Sequence, residues 1–246
     1  MSVIIIIQAR IGSSRLPGKS IRNLNGKPML AYTIEFLKFC KNYDKIIVAT
    51  SDLKQDDEIE SICNELGIDC FRGDHQNVLE RYYLCSKQNN ASIVVRITGD
   101  DPINDPELLD NAITICRNTD CDYVTNMLHP TFPFGMSIEV IKFSVLEENY
   151  KKYCNEPSVA EHVTYNIRKN PQNYNIQEIF APSGLERTEW RLSVDYIEDF
   201  HLMEKIFSKL YKSGSYIKYL TLVKFLDSHP ELLEINSKYL PNKFSY

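Results

Sequence analysis

Val3-Ile4-Ile5-Ile6-Ile7-Gln8-Ala9-Arg10-Ile11-Gly12-Ser13-Ser14-Arg15-Leu16-Pro17-Gly18-Lys19 decides how this chain is read. Its first five residues are an unbroken β-branched run, which suits a strand buried on both faces. The loop that follows holds three cations (Arg10, Arg15 and Lys19), two glycines and two serines. Small residues let the backbone approach an anion, and successive N–H groups form a nest around it. Three cations are enough to neutralise a triphosphate. The spacing is not a Walker A loop, because Ser13 stands where G-x-x-x-x-G-K-[ST] requires glycine, and it is not G-x-G-x-x-G. A solvated, turn-rich loop with incidental charges is the plain alternative. Cations packed this densely after a buried strand argue against it.

Outward from this stretch, the N-terminal half alternates. Helix is predicted from about Pro28 to Cys40, with Pro28 as the first helical residue. A second buried strand spans Lys45 to Thr50. Asp56 to Leu66 is a helix, acidic at its start and closed by Gly67. A strand from Asp69 to Phe71 precedes a helix from Asn77 to Lys87. The pattern repeats with a strand at Ser92–Ile97, a helix at Pro106–Cys116 and a strand at Cys121–Thr125. Four or five alternations imply an α/β fold, a mostly parallel sheet with helices on both faces. The ligand crevice of such a sheet lies beyond the carboxyl ends of its strands. The loops after Ile7, Thr50, Phe71 and Ile97 are therefore expected to converge.

The second half is less regular. Gly135–Phe143 reads as an extended segment crossing the sheet, Pro157–Arg168 as a helix and Tyr174–Phe180 as a strand. Arg187–Val194 alternates like a half-exposed strand, and Ile197–Leu226 looks helical. Residues 120–190 show no linker or repeat, so one domain over residues 1–246 is expected.

Composition bounds the function. Of 246 residues, 43% are hydrophobic and 25% charged, so the chain buries a core and is not disordered. No run nears the roughly 18 apolar residues of a membrane span, and no basic segment precedes Val3–Ile7 as in a signal peptide. Lys and Arg number 28 against 33 Asp and Glu. An acidic chain without a basic cluster argues against nucleic-acid partners but leaves room for a small anion. Seven cysteines without a C-x-x-C pair argue against a zinc ribbon or a secreted disulfide framework. Free thiols in a reducing cytoplasm are the simpler expectation.

Gln8 to Lys19 resembles the nucleotide-sugar pyrophosphorylase signature in its cytidylyltransferase form. The resemblance continues through Ala49-Thr50-Ser51-Asp52, Phe71-Arg72-Gly73 and Val78-Leu79-Glu80-Arg81-Tyr82-Tyr83. It runs on through Arg96-Ile97-Thr98-Gly99-Asp100-Asp101-Pro102, Glu161-His162-Val163-Thr164 and Val194-Asp195-Tyr196-Ile197-Glu198-Asp199. The order is similar to that of the SpsF family of spore-coat polysaccharide biosynthesis, relatives of the CMP-Kdo and CMP-acylneuraminate synthetases. The resemblance implies a Rossmann-like, GT-A-like nucleotidyltransferase fold. It also implies an acceptor-pocket and dimerisation subregion near residues 127–190, and a homodimer.

Two adjacent carboxylates, Asp100 and Asp101, follow a buried strand, where they are costly without a cation or donors. Mg²⁺ commonly bridges carboxylates and substrate phosphate. The resemblance makes Asp100 and the distant Asp195 the metal ligands. The structural alternatives are helix caps: Asp101, Asn104 or Asp105 before Pro106, and Asp195 as an acid at the start of a helix. Relatives usually carry a small or sulfur residue where Asp101 stands, proline where Ile197 stands, and acids where Phe134 and Ser137 stand.

The remaining roles are those the resemblance implies. Arg10, Arg15 and Lys19 stabilise triphosphate charge. Gln8, Ala9, Gly12, Ser13, Arg72, Arg81, Thr98 and Gly99 bind nucleotide, against the alternative that Arg72 and Arg81 make surface ion pairs with Asp74 and Glu80. Glu139, Glu161, His162 and Arg168 face the acceptor, with Glu161, Tyr165 and Arg168 sharing one helical face. His75, His129, His201 and His229 have no metal-ligand spacing. The implied reaction moves CMP from CTP to an acidic sugar or sugar phosphate and releases pyrophosphate. A GT-A glycosyltransferase would show Asp-x-Asp, which Gly99-Asp100-Asp101 is not. Against a non-catalytic nucleotide-binding or scaffold protein of a polysaccharide locus, the carboxylates and cations together argue for a catalyst.

Overall fold

In a computed structural model, the opening isoleucine run forms β1 (Val3–Gln8), with Val3 to Ile7 fully buried at the middle of a seven-stranded sheet. The structure describes residues 1–239, so the end of the expected domain, residues 240–246, lies outside the described residues. After the loop comes a small ribbon, β2 (Asn23–Leu24) and β3 (Lys27–Pro28). Then come α1 (Met29–Leu37), β4 (Lys45–Ser51), α2 (Asp57–Leu66), β5 (Asp69–Gly73), α3 (Val78–Gln88), β6 (Ile93–Thr98) and α4 (Pro106–Asn118). The second half contributes β7 (Tyr123–Thr125), β8 (Glu139–Lys142), α5 (Phe143–Tyr153), α6 (Pro157–His162), α7 (Tyr165–Lys169), β9 (Ile176–Glu178), α8 (Ile197–Leu210) and α9 (Tyr219–Asp227).

The strand order is β5-β4-β1-β6-β8-β7-β9. Among the described residues, only β8 runs against its neighbours, wedged between β6 and β7. The segment expected to cross the sheet thus becomes part of it. Alternate residues of β1 feed two apolar layers, as the two-residue period of a strand requires. Ile5 and Ile7 pack with Leu30, Ile113, Phe207 and Leu222 on one face. Ile4 and Ile6 pack with Leu79, Tyr82, Leu146 and Ile167 on the other. The mostly parallel sheet with helices on both faces is as the alternation predicts. The start of α4 is capped by Asp105, which accepts from Glu107 N at 2.9 Å.

Three expectations fail, the first two because long-range contacts override local pattern. The helix expected over 157–168 breaks into α6 and α7 at Val163, whose φ is +35°. The freed Val163 carbonyl accepts from the buried Asn149 amide at 2.7 Å, and Thr164 turns its hydroxyl onto Glu139. Glu161, Tyr165 and Arg168 therefore do not share a helical face. Arg187–Val194 is not a strand: it makes one isolated bridge, Phe134 to Arg191, and residues 190–194 are buried throughout, polar ones included. The tail helix is interrupted between α8 and α9, where Gly214 has φ +76°.

Candidate active site

β1 and β6 are paired in parallel with Gln8 opposite Thr98, so the loops after both strands open at the same edge. There they form a cleft of about 380 Å³. The loop after β1 is pinned from outside: Ile11 N donates to Asp56 Oδ1 at 2.7 Å, and Ser51 donates to the other Asp56 oxygen. It is also folded on itself, with Ser13 N and Gly18 N both donating to Ile11 O. Gly99 N donates to Gln8 O at 2.8 Å. A Cβ at Gly99 would lie 2.8 Å from that oxygen, so glycine is what lets the two loops meet. The wall opposite depends on Gly135 (φ +97°), where a Cβ would lie 2.2 Å from Ser193 N.

Lys19 is the centre of the site. Its ammonium donates to Asp100 Oδ2 at 2.8 Å, Val194 O at 2.8 Å and Asp195 Oδ1 at 2.9 Å, which uses all three of its hydrogens. Burial opposes its charge, but Asp100 and Asp195 outweigh that and hold its pKa above the ordinary lysine value. Asp195 is buried too, yet Lys19, Arg15 and Arg191 keep its carboxyl below the usual range. Arg15 reaches its Oδ1 and Arg191 its Oδ2, each at 2.7 Å. Asp199 holds Arg191 from behind and accepts from Asp195 N and Tyr196 N. Asp101 shares less of this compensation. Burial and the Asp100 charge push it up to about 7, partly offset by hydrogen bonds from Thr98 and Ser193.

Asp100 and Asp195 meet on one ammonium, so the fold already accommodates positive charge between two hard oxygen donors. That donor set fits a divalent ion whose other ligands come from water and phosphate. Among the described residues, no group of three or more His, Cys, Asp or Glu gathers into a metal site. Among the described residues, six cations line the cleft, Arg10, Arg15, Lys19, Arg81, Arg96 and Arg168, against the four acids Asp100, Asp101, Glu161 and Asp195. The cleft is therefore positive within a chain of formal charge −5.

Most of the residues expected at the site are here. Gln8, Ala9, Arg10, Ser13, Arg15, Lys19, Arg81, Thr98, Gly99, Asp100, Glu161, His162, Arg168 and Asp195 all line the cleft. Gly12, Arg72 and Glu139 do not. Gly12 faces Gln55 on the loop's outer side. Arg72 is held away by Asp57 and Glu60, at 3.0 and 2.7 Å, and by the carbonyls of Ser51 and Leu53. Its partners are thus not Asp74 and Glu80, as the surface alternative had it. Arg81 bonds the Asp74 backbone carbonyl. Glu139 is fully buried and cannot touch an acceptor. Instead its Oε1 pairs with Arg96 NH1, while the Tyr123 and Thr164 hydroxyls donate to its Oε2. Burial alone would raise the Glu139 pKa, but Arg96, Arg168 and the two hydroxyls bring it below the ordinary glutamate value.

Sequence reading missed Arg96 and Arg191. The signal for Arg96 was a single cation inside the apolar run Ser92–Ile97, which demands a buried counter-charge. Arg96 NH2 donates to Gln8 Oε1 at 3.1 Å. Because guanidinium has donors only, Gln8 must turn its carbonyl toward Arg96 and its NH₂ away from it. Burial lowers the pKa of His162, which favours its neutral ring.

A parallel sheet with a cationic loop after its central strand, and carboxylates gathered across from that loop, defines an α/β nucleotidyltransferase. More narrowly, the chain belongs to the cytidylyltransferase family, whose model matches residues 4–229. Its SpsF-like character is shown by the spore coat polysaccharide biosynthesis protein SpsF of Bacillus subtilis. That protein is 34% identical over 211 residues, 84% of this chain and 87% of its own. An uncharacterized protein of Methanocaldococcus jannaschii is 37% identical over 239 residues, 96% of this chain and 95% of its own. Among solved structures, a cytidylyltransferase from Leptospira borgpetersenii superposes with a TM-score of 0.89 at 30% identity, covering 100% of this chain and 99% of its own.

Proposed function

We propose that this enzyme transfers CMP from CTP to an acidic sugar or sugar phosphate, with Mg²⁺ and release of pyrophosphate, in surface polysaccharide biosynthesis. The observation that carries this reading is the single ammonium of Lys19 bonded to both Asp100 and Asp195, 81 and 176 residues away. It joins the phosphate-binding loop to both carboxylates in one cleft. Arg10 and Arg15 flank the same cleft, so the triphosphate meets fixed positive charge rather than water that must reorganise. Asp100 and Asp195 are the residues that would hold Mg²⁺, which when bound would supply Lewis-acid polarisation of phosphate oxygens. The acceptor oxygen attacks the α-phosphorus in line, and pyrophosphate departs against Arg10, Arg15 and Lys19. Such transfers rest on positioning and charge stabilisation. Glu161, His162 and Arg168, which line the same cleft, face the acceptor. The same reading extends to a homodimer working in the cytoplasm.

The test is pyrophosphate release from CTP with Mg²⁺ and a panel of acidic sugars and sugar phosphates. Asp100→Asn and Asp195→Asn are each expected to lower kcat by about 100-fold or more, the usual scale for a lost charge-stabilising group. CTP binding should persist. Sugar transfer from a nucleotide-sugar without pyrophosphate release would instead identify a glycosyltransferase.

A further inference from the structure

A 3₁₀ segment, Pro230–Tyr239, follows α9 and lies against the start of α8. It falls beyond residues 4–229, the span that the family model matches. We propose that this segment carries a positioning residue for the transfer reaction. The residue is Asn236, which does not line the cleft but aims Asp195 into it through Asp199 and Arg191. This rests on the reading of Asp195 as a Mg²⁺-holding carboxylate in a CMP-transfer site.

Asp195 is carried by a stretch without a ladder of its own. Residues 192–195 belong to neither helix nor strand, so the backbone groups here need individual partners. Val194 N donates to Asp100 O at 2.9 Å, and Val194 O accepts from Lys19. The Arg191 carbonyl accepts from the Asn236 amide at 3.0 Å. The same amide donates to Asp199 Oδ1 at 2.8 Å, so both of its hydrogens are in use. Asp199 holds Arg191 Nε at 3.0 Å and, with its other oxygen, Asp195 N at 2.9 Å. Arg191 in turn holds Asp195 Oδ2 at 2.7 Å, while Lys19 and Arg15 both take Oδ1. One oxygen of Asp195 is thus set by the cleft's cations and the other by a relay that begins at Asn236. All four members of the relay are buried, so water does not replace a lost bond.

The segment's other polar grip is weaker. Lys238 pairs with Glu198 at 2.6 Å, but its side chain is 62% exposed, and such a pair contributes little. Tyr239 stacks on Tyr196 with ring centroids 3.8 Å apart, which seats the segment without touching Asp195 or its partners Asp199 and Arg191 by a hydrogen bond. Asn236 is the buried residue of the segment, and its bonds are the ones that lead to the site.

Titration calorimetry with CTP, first in EDTA and then with Mg²⁺, tests this on wild type, Asn236→Ala and Lys238→Ala, each as the full chain and each with its Tm recorded. Groups that hold a metal ligand from behind typically change metal affinity about 10–100-fold when lost. Asn236→Ala should therefore leave CTP affinity in EDTA unchanged and cut the gain that Mg²⁺ adds by about ten-fold or more. Lys238→Ala should keep the wild-type gain. If Asn236→Ala folds poorly, Asn236→Ser takes its place. A hydroxyl has one hydrogen, so at most one of the two bonds survives and the gain should still fall. A wild-type gain in a folded Asn236 variant overturns the proposal even if Tm drops, because the residue then only seats the segment. So does an equal loss in Lys238→Ala, or a loss already complete in EDTA. Wild type that binds no CTP refutes the CMP-transfer reading itself, and wild type that binds CTP without gaining from Mg²⁺ refutes the metal role of Asp195. Both of those outcomes are read from wild type alone, apart from any variant.

Discussion

Gln8 shows how one side chain's chemistry is set by another's. Arg96 cannot accept a hydrogen bond, so the Gln8 carbonyl faces it and the amide NH₂ is turned away from Arg96. Glu139 fixes Arg96 in turn, and two hydroxyls fix Glu139. Gln8→Glu should reverse the polarity of this contact while keeping the bond to Arg96. CTP affinity is expected to fall about ten-fold, equivalent to ~1.4 kcal/mol, in a titration calorimeter, with the circular dichroism spectrum unchanged. An unaltered affinity would place the nucleotide away from Gln8. The sequence made the cations of the β1 loop legible because small residues and charges were packed into one short stretch. It did not make Arg96 legible as a site residue, because its partner Glu139 lies 43 positions away on a strand inserted beside it.

At the scale of elements, the break between α6 and α7 decides how Glu161, His162 and Arg168 meet the cleft. The local pattern of 157–168 favours one helix, and only the Asn149 amide and the Glu139 carboxylate give the chain a reason to leave it. Val163 tolerates a positive φ because its carbonyl is satisfied and its side chain is buried. Asn149→Ala leaves that carbonyl without its partner inside the protein, at a cost of about 1–3 kcal/mol. For a chain of this size, Tm should drop by roughly 3–10 °C. Hydrogen exchange should rise over residues 157–169, and KM for the acceptor should increase more than KM for CTP. Equal protection in that segment would show that the break is set locally. Arg187–Val194 carries the same lesson. The alternation of residue types there is real, but no strand forms, and Arg191 and Ser193 are as buried as Trp190, Leu192 and Val194, so a local pattern suggested an element that the fold does not make.

At the scale of the molecule, Lys19, Asp195, Arg191 and Asp199 tie the N-terminal loop to the start of α8. The pH dependence of this tie has a definite sign. Asp195 titrates below its ordinary 3.8 in the folded protein, so its contribution is present above that pH and is lost as pH falls through the folded value. Lys19 titrates above its ordinary 10.5, so its share is complete below that pH and disappears as pH rises through the folded value. Wild type should therefore exceed Asp195→Asn in Tm at neutral pH, and the gap should close once the pH is taken well below 3.8. A gap that persists in strong acid would mean that packing, not charge, accounts for it. The sequence alone determined the strand–helix alternation, the buried central strand and the cationic loop, since each is written in neighbouring residues whose spacing is fixed by backbone geometry. Only the tertiary structure decided that Asp195 meets Lys19, that Arg72 turns away, and that Glu139 serves from within, because charge pairing in a low-dielectric interior depends on distances that chain order does not encode.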